Sequence, residues 1–460
     1  MSPPVRDLAS FAALAVVALY AGCTEPAVPN PEPQASADAQ QRPNVLVVIT
    51  DDQPVGTMPA MPQTRRAFAG AGTTLRNMFA TTPVCCPARA SLMSGRYAHN
   101  HRVLTNEDAH ELDQSTTVQA HLDRAGYRTG LFGKYLNLWN EPPPHFDDWS
   151  VIKGRFRYFD TNWDVNGEKK VVEGYWTDSI ADFAAGFLDA SEEDDHRPWL
   201  MFVTPPAPHS PYIPAPRHED TVVPAFDGNP ATRERDKTDK PPYVRAASAP
   251  ETAIAGVPRQ QMRTLLAVDE MIGKLMGTMR ALGEENTLAF YVSDNGYLWG
   301  EHGLIGAYMS KGNPYPRSVK VPALMRWPGH IEAGRQDHRL AGLFDITATI
   351  LDAAGIDAST DGRSLLEDWD RDRILLEYWQ KTGRHRSTVP DWAGLRTPRY
   401  SYTEYYEGDR VVFREYYEVR SDPFALENLL GDEDPANDPD VDSLSRRLAR
   451  DRRCSGGACP

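Results

Sequence analysis

The chain has 460 residues, 41% hydrophobic, 25% charged and 10% aromatic, a balance that suits a soluble globular protein with one large α/β domain and a smaller second one. Its formal net charge of −15 excludes a general nucleic-acid binder, because phosphate backbones require a basic surface. An anionic substrate is admissible only through a local basic pocket, with or without a metal, set in an acidic whole.

Residues 1–22 hold one arginine, Arg6, then an apolar run from Leu8 to Ala21. The run is shorter than the about 20 residues a membrane span needs and has the form of a secretory signal peptide. It ends Leu19-Tyr20-Ala21-Gly22-Cys23. That resembles a bacterial lipoprotein cleavage site, with Tyr20 where such sites carry leucine; ordinary signal cleavage fits the same residues. Either route predicts export to the cell surface, periplasm or medium, and the first adds a membrane tether through a lipidated Cys23. Residues 23–42 are rich in Pro, Ala, Gln and Asp and read as a disordered tether.

Val45-Leu46-Val47-Val48-Ile49 predicts a central strand buried on both faces. It runs into Asp51-Asp52, so two carboxylates stand at a strand's C-terminal edge, where open α/β sheets bind ligands. Similar runs at Trp199–Thr204 and Leu288–Ser293 predict further strands, and the second closes on Asp294-Asn295. Helical patterns at Ser115–Ala125, Thr177–Ala190 and Arg259–Leu282 alternate with them, which predicts a mainly parallel sheet flanked by helices. After about residue 370 the texture changes. Arg399–Tyr406 and Arg410–Val419, joined at Glu407-Gly408-Asp409, predict a hairpin in a small antiparallel C-terminal subdomain.

The cysteines are Cys23, Cys85, Cys86, Cys454 and Cys459, with no zinc-site spacing. Cys454 and Cys459 flank Ser-Gly-Gly-Ala and suit a small disulfide loop in an oxidising compartment; two free thiols on a tail are the alternative. Residues 83–96 read Pro-Val-Cys-Cys-Pro-Ala-Arg-Ala-Ser-Leu-Met-Ser-Gly-Arg. Residues 87–96 look helical with Pro87 in the first turn, which sets residue 85 at a helix N-terminus that favours an anion.

Cys85-x-Pro87-x-Arg89 followed by Ser94-Gly95-Arg96 closely resembles the signature of type I sulfatases, whose first signature cysteine is oxidised to formylglycine. The resemblance implies that Cys85, not Cys86, is converted, by a formylglycine-generating enzyme. Family members often carry serine where this chain has Ala88. A hydrated aldehyde offers two hydroxyls on one carbon: one attacks sulfur, and the other expels sulfate by rebuilding the aldehyde. The resemblance runs over most of residues 43–430 and implies the alkaline-phosphatase-like α/β fold, with a catalytic domain at 43–370 and a C-terminal subdomain at 371–460. It assigns Asp51, Asp52, Asp294 and Asn295, with residue 85, to one metal ion. Hard oxygen ligands suit Ca²⁺, whereas Mg²⁺ demands a tighter octahedral cage.

The same resemblance gives Arg89 to the nucleophile's oxygen, Lys134 and Lys311 to sulfate oxygens, and His209 to sulfate binding and proton donation to the leaving alcohol. The family often has histidine two residues after the lysine; here that residue is Leu136, and Asn137 is the stand-in for substrate binding. This departure, Cys85-Cys86-Pro87 and His99-Asn100-His101 resemble the N-acetylglucosamine-6-sulfatase branch, which implies a sulfated sugar such as 6-O-sulfated N-acetylglucosamine. Phosphonate monoester or phosphodiester hydrolysis with the same nucleophile is the alternative. A binding protein that has lost catalysis would lack a nucleophile or metal carboxylate, and none is missing. His99, His101, Asn106, His145 and His302 suit either a sugar pocket or structural roles, and Tyr417, Asp422 and Asn428 suit C-terminal packing.

Overall fold

The computed structural model describes residues 42–154, 157–194, 196–306, 309–380 and 387–460. The expected signal peptide, the lipidation site Cys23 and the tether up to residue 41 lie outside them. Ten strands form one sheet: β1 (Asn44–Thr50), β2 (Thr73–Phe79), β3 (Arg128–Gly133), β4 (Asp148–Ile152), β5 (Phe159–Val165), β6 (Glu168–Tyr175), β7 (Trp199–Thr204), β8 (Thr287–Ser293), β9 (Ala323–Arg326) and β10 (Arg335–Gly342). Their order is β10-β2-β9-β8-β1-β7-β3-β4-β5-β6.

The apolar run of β1 is central, as its composition demands. Val45 pairs in parallel with Leu200 of β7 and Leu288 of β8. Val45, Val47 and Ile49 enter one core, and Leu46 and Val48 the opposite one. Each such side chain contributes about 1.5–3 kcal/mol by leaving water. Helices Trp176–Ser191 and Glu251–Leu282 cover the second face with Ile180, Leu188, Leu265 and Ile272. Helices Cys85–Ser94, Val118–Arg124 and Phe344–Ala353 cover the first with Ala88, Leu92, Leu122 and Ile350.

Strands β8, β1, β7 and β3 are adjacent and parallel. Their C-terminal ends therefore share one edge, and Asp294, Asp51, the Pro205–His209 turn and Lys134 all leave from it. The sheet departs from parallel at its flanks: β9 runs antiparallel to both β2 and β8, and β4, β5 and β6 form an antiparallel meander.

Two helix boundaries differ from expectation. The helix predicted to begin at Arg259 begins at Glu251 and runs through Pro258, which is buried. A proline forfeits one backbone hydrogen bond, and packing of this long helix on the sheet offsets it. The pattern at Ser115–Ala125 resolves into a 3₁₀ turn, Gln114–Thr116, and a helix from Val118; the Asp113 side chain accepts from Ser115 N–H and caps the turn.

A second sheet contains β11 (Ile374–Tyr378), β12 (Asp391–Arg396), β13 (Tyr400–Glu407) and β14 (Arg410–Glu418), all antiparallel in that order. The predicted hairpin is β13–β14, with Glu407 opposite Arg410 and Gly408-Asp409 at the turn. Ile374, Trp392 and Tyr402 pack with Phe79, Tyr97 and Phe344 of the main body. Glu377 N–H donates to the Thr81 carbonyl at 2.8 Å, and Trp392 Nε1 to the Gly312 carbonyl at 2.7 Å. The second sheet thus braces the loop that carries Lys311. Helix Val441–Asp451 and a Cys454–Cys459 disulfide end the chain.

Candidate active site

Asp51, Asp52, Asp294 and Asn295 gather where β1 and β8 end side by side, and all four are buried. Asp52 adopts φ +64°, which costs a non-glycine residue about 1–2 kcal/mol. In return its N–H reaches Asp294 Oδ1 at 3.2 Å, while Asn295 Nδ2 donates to Asp52 Oδ1 at 2.7 Å. Asn295 Oδ1 is buried with no hydrogen-bond partner.

The Cys85–Ser94 helix points its N-terminus at this acidic group. All ten of its residues are buried, and Val84 before it is extended and offers no side-chain cap. Gly95 ends the helix at φ +68°, and a Cβ there would press on Thr360 and Thr347. Cys85 Sγ lies 3.4 Å from Asp51 Oδ1 and 4.0 Å from Asp52 Oδ1. Its neighbour Cys86 turns into the core instead, and its N–H donates to Asn106 Oδ1 at 2.9 Å. Burial, with Asp51 beside it, pushes the Cys85 thiol up to about 12.

Cations close the ring. Arg89, fully buried one turn after Cys85, donates from Nε to Asp294 Oδ2 at 2.8 Å and from Nη1 to the Lys134 carbonyl at 2.8 Å. Its Nη2 is 3.8 Å from Asp51 Oδ2 and has no hydrogen bond. Lys134 reaches the site because Gly133, at φ +120°, passes so close to the Thr204 carbonyl that a Cβ would collide with it. Lys134 Nζ then donates to Asp51 Oδ2 at 2.5 Å. Lys311 Nζ donates to Asp52 Oδ1 at 2.7 Å and contacts Cys85 Sγ at 3.1 Å. His209 Nε2 lies 3.7 Å from Asp52 Oδ2, and its Nδ1 is 2.8 Å from the Ser210 carbonyl.

These charges set one another's protonation. Burial drives the Asp51 carboxyl up, but Lys134, His209, Arg89 and Lys311 together hold it well below the carboxylate range. Burial, with Asp51 adding repulsion, raises Asp294. Burial pulls Lys134 and Lys311 down, yet Asp51 and Asp52 respectively keep them above the usual lysine value. Three carboxylates thus face three permanent cations around one sulfur.

The geometry brings together Asp51, Asp52, Cys85, Arg89, Lys134, His209, Asp294, Asn295 and Lys311. It does not join Asn137 to them: that residue is half-buried with its backbone against the Cys86 thiol and its Oδ1 unpartnered, and among the described residues no hydrogen bond links it to the acidic group. All four histidines left open have structural partners. His101 bonds Ser91 at 2.9 Å, His99 joins Glu377 at 2.9 Å to the Cys454 carbonyl at 3.0 Å, and buried His302 pairs with Glu234 at 2.6 Å. His145 pairs with Asp123 at 3.1 Å. Tyr417 and Asn428 do pack the C-terminal part: Tyr417 donates to Glu415 at 2.6 Å, and Asn428 Oδ1 accepts from Tyr416 N–H at 2.9 Å. The sequence reading missed Tyr158, whose hydroxyl donates to the His209 carbonyl at 2.6 Å, and the Tyr212–Tyr297 hydroxyl pair at 2.6 Å that ties the His209 turn to the loop after Asn295. Proximity of Tyr297 to Asp294-Asn295 was the one signal available; Tyr158 has none.

Comparison with known proteins gives a consistent picture. The model of the sulfatase family matches residues 43–356, and that of the N-sulphoglucosamine sulphohydrolase C-terminal region matches residues 300–453. The chain is 30% identical over 491 residues to N-acetylglucosamine-6-sulfatase of Homo sapiens, covering 92% of this chain and 87% of that protein. It is 32% identical over 372 residues to the extracellular sulfatase SULF-1 homolog of Drosophila melanogaster, covering 74% of this chain. The chain spans only 32% of the length of that relative. A solved structure of a protein in complex with its substrate D-glucosamine-2-N,6-O-disulfate superposes with a TM-score of 0.75 at 25% identity, covering 90% of this chain and 98% of that one.

Proposed function

Because the chain belongs to the sulfatase family of sulfuric ester hydrolases, we propose that it removes sulfate from a sugar, with 6-O-sulfated N-acetylglucosamine as the first candidate, through a formylglycine at position 85 and one bound calcium ion. The observation that carries this is the setting of Cys85: a buried sulfur 3.4 Å from Asp51 and 3.1 Å from Lys311, at a helix N-terminus, inside a ring of matched charge. The similarity to an N-acetylglucosamine-6-sulfatase over 92% of the chain supports the sugar.

The donor set fits calcium. Three buried carboxylates and the unpartnered Asn295 Oδ1 are hard oxygens, and conversion of Cys85 would exchange its sulfur for oxygen. Asp51, Asp52, Asp294, Asn295 and residue 85 would hold the ion, whose positive charge would favour an ionised hydroxyl at residue 85 and polarise the sulfate group. Arg89 orients residue 85, since its Nη2 is the donor left over after Asp294 and the Lys134 carbonyl are satisfied. Lys134 and Lys311 neutralise charge on the sulfate oxygens as the transition state forms. His209 gives its Nδ1–H to the Ser210 carbonyl, so Nε2 is the atom that carries a proton to the leaving alcohol. Asn137, outside the ring, serves the sugar rather than the sulfur centre.

The catalytic domain spans 43–370 on this reading, and 371–460 form the C-terminal subdomain. Export, with membrane tethering through a lipidated Cys23, and maturation by a formylglycine-generating enzyme complete it. The Cys454–Cys459 disulfide supports an oxidising compartment, and no described helix is long and apolar enough to cross a membrane. The test is sulfate release from N-acetylglucosamine-6-sulfate by protein co-expressed with a formylglycine-generating enzyme. Peptide mass at residue 85 should show an aldehyde, and Cys85→Ala should abolish turnover. Undiminished release by that variant overturns the mechanism; a kinetic preference for a phosphonate monoester overturns the substrate.

A further inference from the structure

A cavity of about 230 Å³ lies between the second sheet and the segment before β9, away from the ring around Cys85. Two cations line it. Lys320 follows the short helix Pro316–Val319, and Arg396 ends β12. Lys320 Nζ donates to Asn77 Oδ1 at 3.0 Å. The Arg396 guanidinium donates to the Thr397 carbonyl and sits 5.5 Å above the Phe79 ring. Among the described residues neither has a carboxylate partner. Burial brings Lys320 down to about 8, with Arg396 and Arg76 adding repulsion, and burial alone lowers Arg396 to about 10.

Two carboxylates on the cavity wall are committed elsewhere. Glu415 accepts from the hydroxyls of Tyr315, Tyr405 and Tyr417 at 2.9, 2.5 and 2.6 Å. Asp422 Oδ2 accepts the N–H groups of Leu426 and Glu427 at 2.7 and 2.9 Å. Two like charges held together in a half-buried cavity, with the wall's carboxylates bonded to other groups and neither paired with a cation among the described residues, are unfavourable. An anion that enters relieves both. The hydroxyl-bearing Ser401 and Thr403 on the same wall add groups able to donate to its oxygens.

We propose that this cavity is a second oxyanion site, separate from the Cys85 centre, which holds a sulfate group between Lys320 and Arg396. The group comes either as free sulfate, the product of hydrolysis, or as a sulfo group on a sugar chain. The lysine serves as a compact point charge and the arginine as a planar double donor. Only the identity of the anion rests on the sulfatase reading; the site rests on the cavity and its unpaired cations.

The test is amine-selective acylation of the full chain near pH 8, with labelling of each lysine read by peptide mass. Inorganic sulfate is compared with chloride at equal ionic strength, and with glucosamine-6-sulfate. Sulfate at ten times its dissociation constant should slow labelling of Lys320 about tenfold, and Arg396→Gln should remove that protection. Protection by the sugar at lower concentration than by the free ion assigns the site to a glycan, and the reverse order assigns it to product. Lys311, read in the same samples, reports the catalytic ring, so failure there and failure here are told apart. Equal labelling of Lys320 in wild type under all three conditions overturns the proposal, whatever the stability of the variant. Protection that persists unchanged in folded Arg396→Gln overturns the pairing.

Discussion

Replacing Arg89 by alanine tests the charge ring most severely. In the wild type, Asp51, Asp52 and Asp294 face Arg89, Lys134 and Lys311. Arg89→Ala removes the 2.8 Å bond to Asp294, the 2.8 Å bond to the Lys134 carbonyl and the 3.8 Å ion pair with Asp51, at a position with no exposure. Taking away one partner of a buried pair costs about 3–5 kcal/mol, and the orphaned carbonyl adds about 1 kcal/mol. We therefore expect a loss of about 4–6 kcal/mol in unfolding free energy when a chelator keeps calcium away. The emptied site carries one more net negative charge, so calcium should bind the variant more tightly and restore more stability to it than to wild type. The assay is denaturant unfolding of both proteins in chelator and in calcium. A deficit below about 0.5 kcal/mol in chelator, the range of an ordinary surface change, would refute the buried-ring argument. A calcium effect larger for wild type would refute the assignment of the ion to these carboxylates.

Three further outcomes are expected. His209→Ala should lower turnover of a sugar sulfate by about 10²–10⁴, but leave an aryl sulfate with a good leaving group nearly unaffected, because only the poor leaving group needs a proton; equal losses on both would remove its role as acid. Arg371→Met should cost about 3–5 kcal/mol of stability, since Arg371 holds Asp345 with bonds of 2.6 and 2.9 Å and both are fully buried; Asp345→Asn in the same chain should recover only part of it, because Asp345 also accepts the Gly342 and Arg363 N–H groups at 2.8 Å, and unfolding curves that match wild type for the single variant would contradict the pair. Replacing Cys454 and Cys459 by alanine should cost about 2 kcal/mol, the loop-closure value for a six-residue loop, and loosen the contact of the Cys454 carbonyl with His99 and Asn100, seen as faster amide exchange at the C-terminus.

Features whose cause is local could be read from the chain before it folds. Five consecutive apolar residues from Val45 to Ile49 can satisfy their side chains only in a strand covered on both faces, so β1 and the carboxylates that follow it were legible. The Cys85-x-Pro87-x-Arg89 spacing places residue 85 and Arg89 one helical turn apart, and the alternation around Gly408 predicts its hairpin. The helix extends N-terminal of the predicted Arg259, through Pro258, because the proline's local penalty is smaller than the packing gain of the helix that contains it. Tertiary structure alone decided which of these pieces meet. Lys311 and Asp52 are 259 residues apart and Arg89 and Asp294 are 205 apart, and they touch because β8, β1, β7 and β3 lie side by side and end at one edge. That order is settled by how both faces of the sheet are covered, a property of the whole chain. The hydroxyl of Tyr158 behind His209, and the convergence of Lys320 with Arg396 in one cavity, follow from the same long-range packing, which no window of sequence contains.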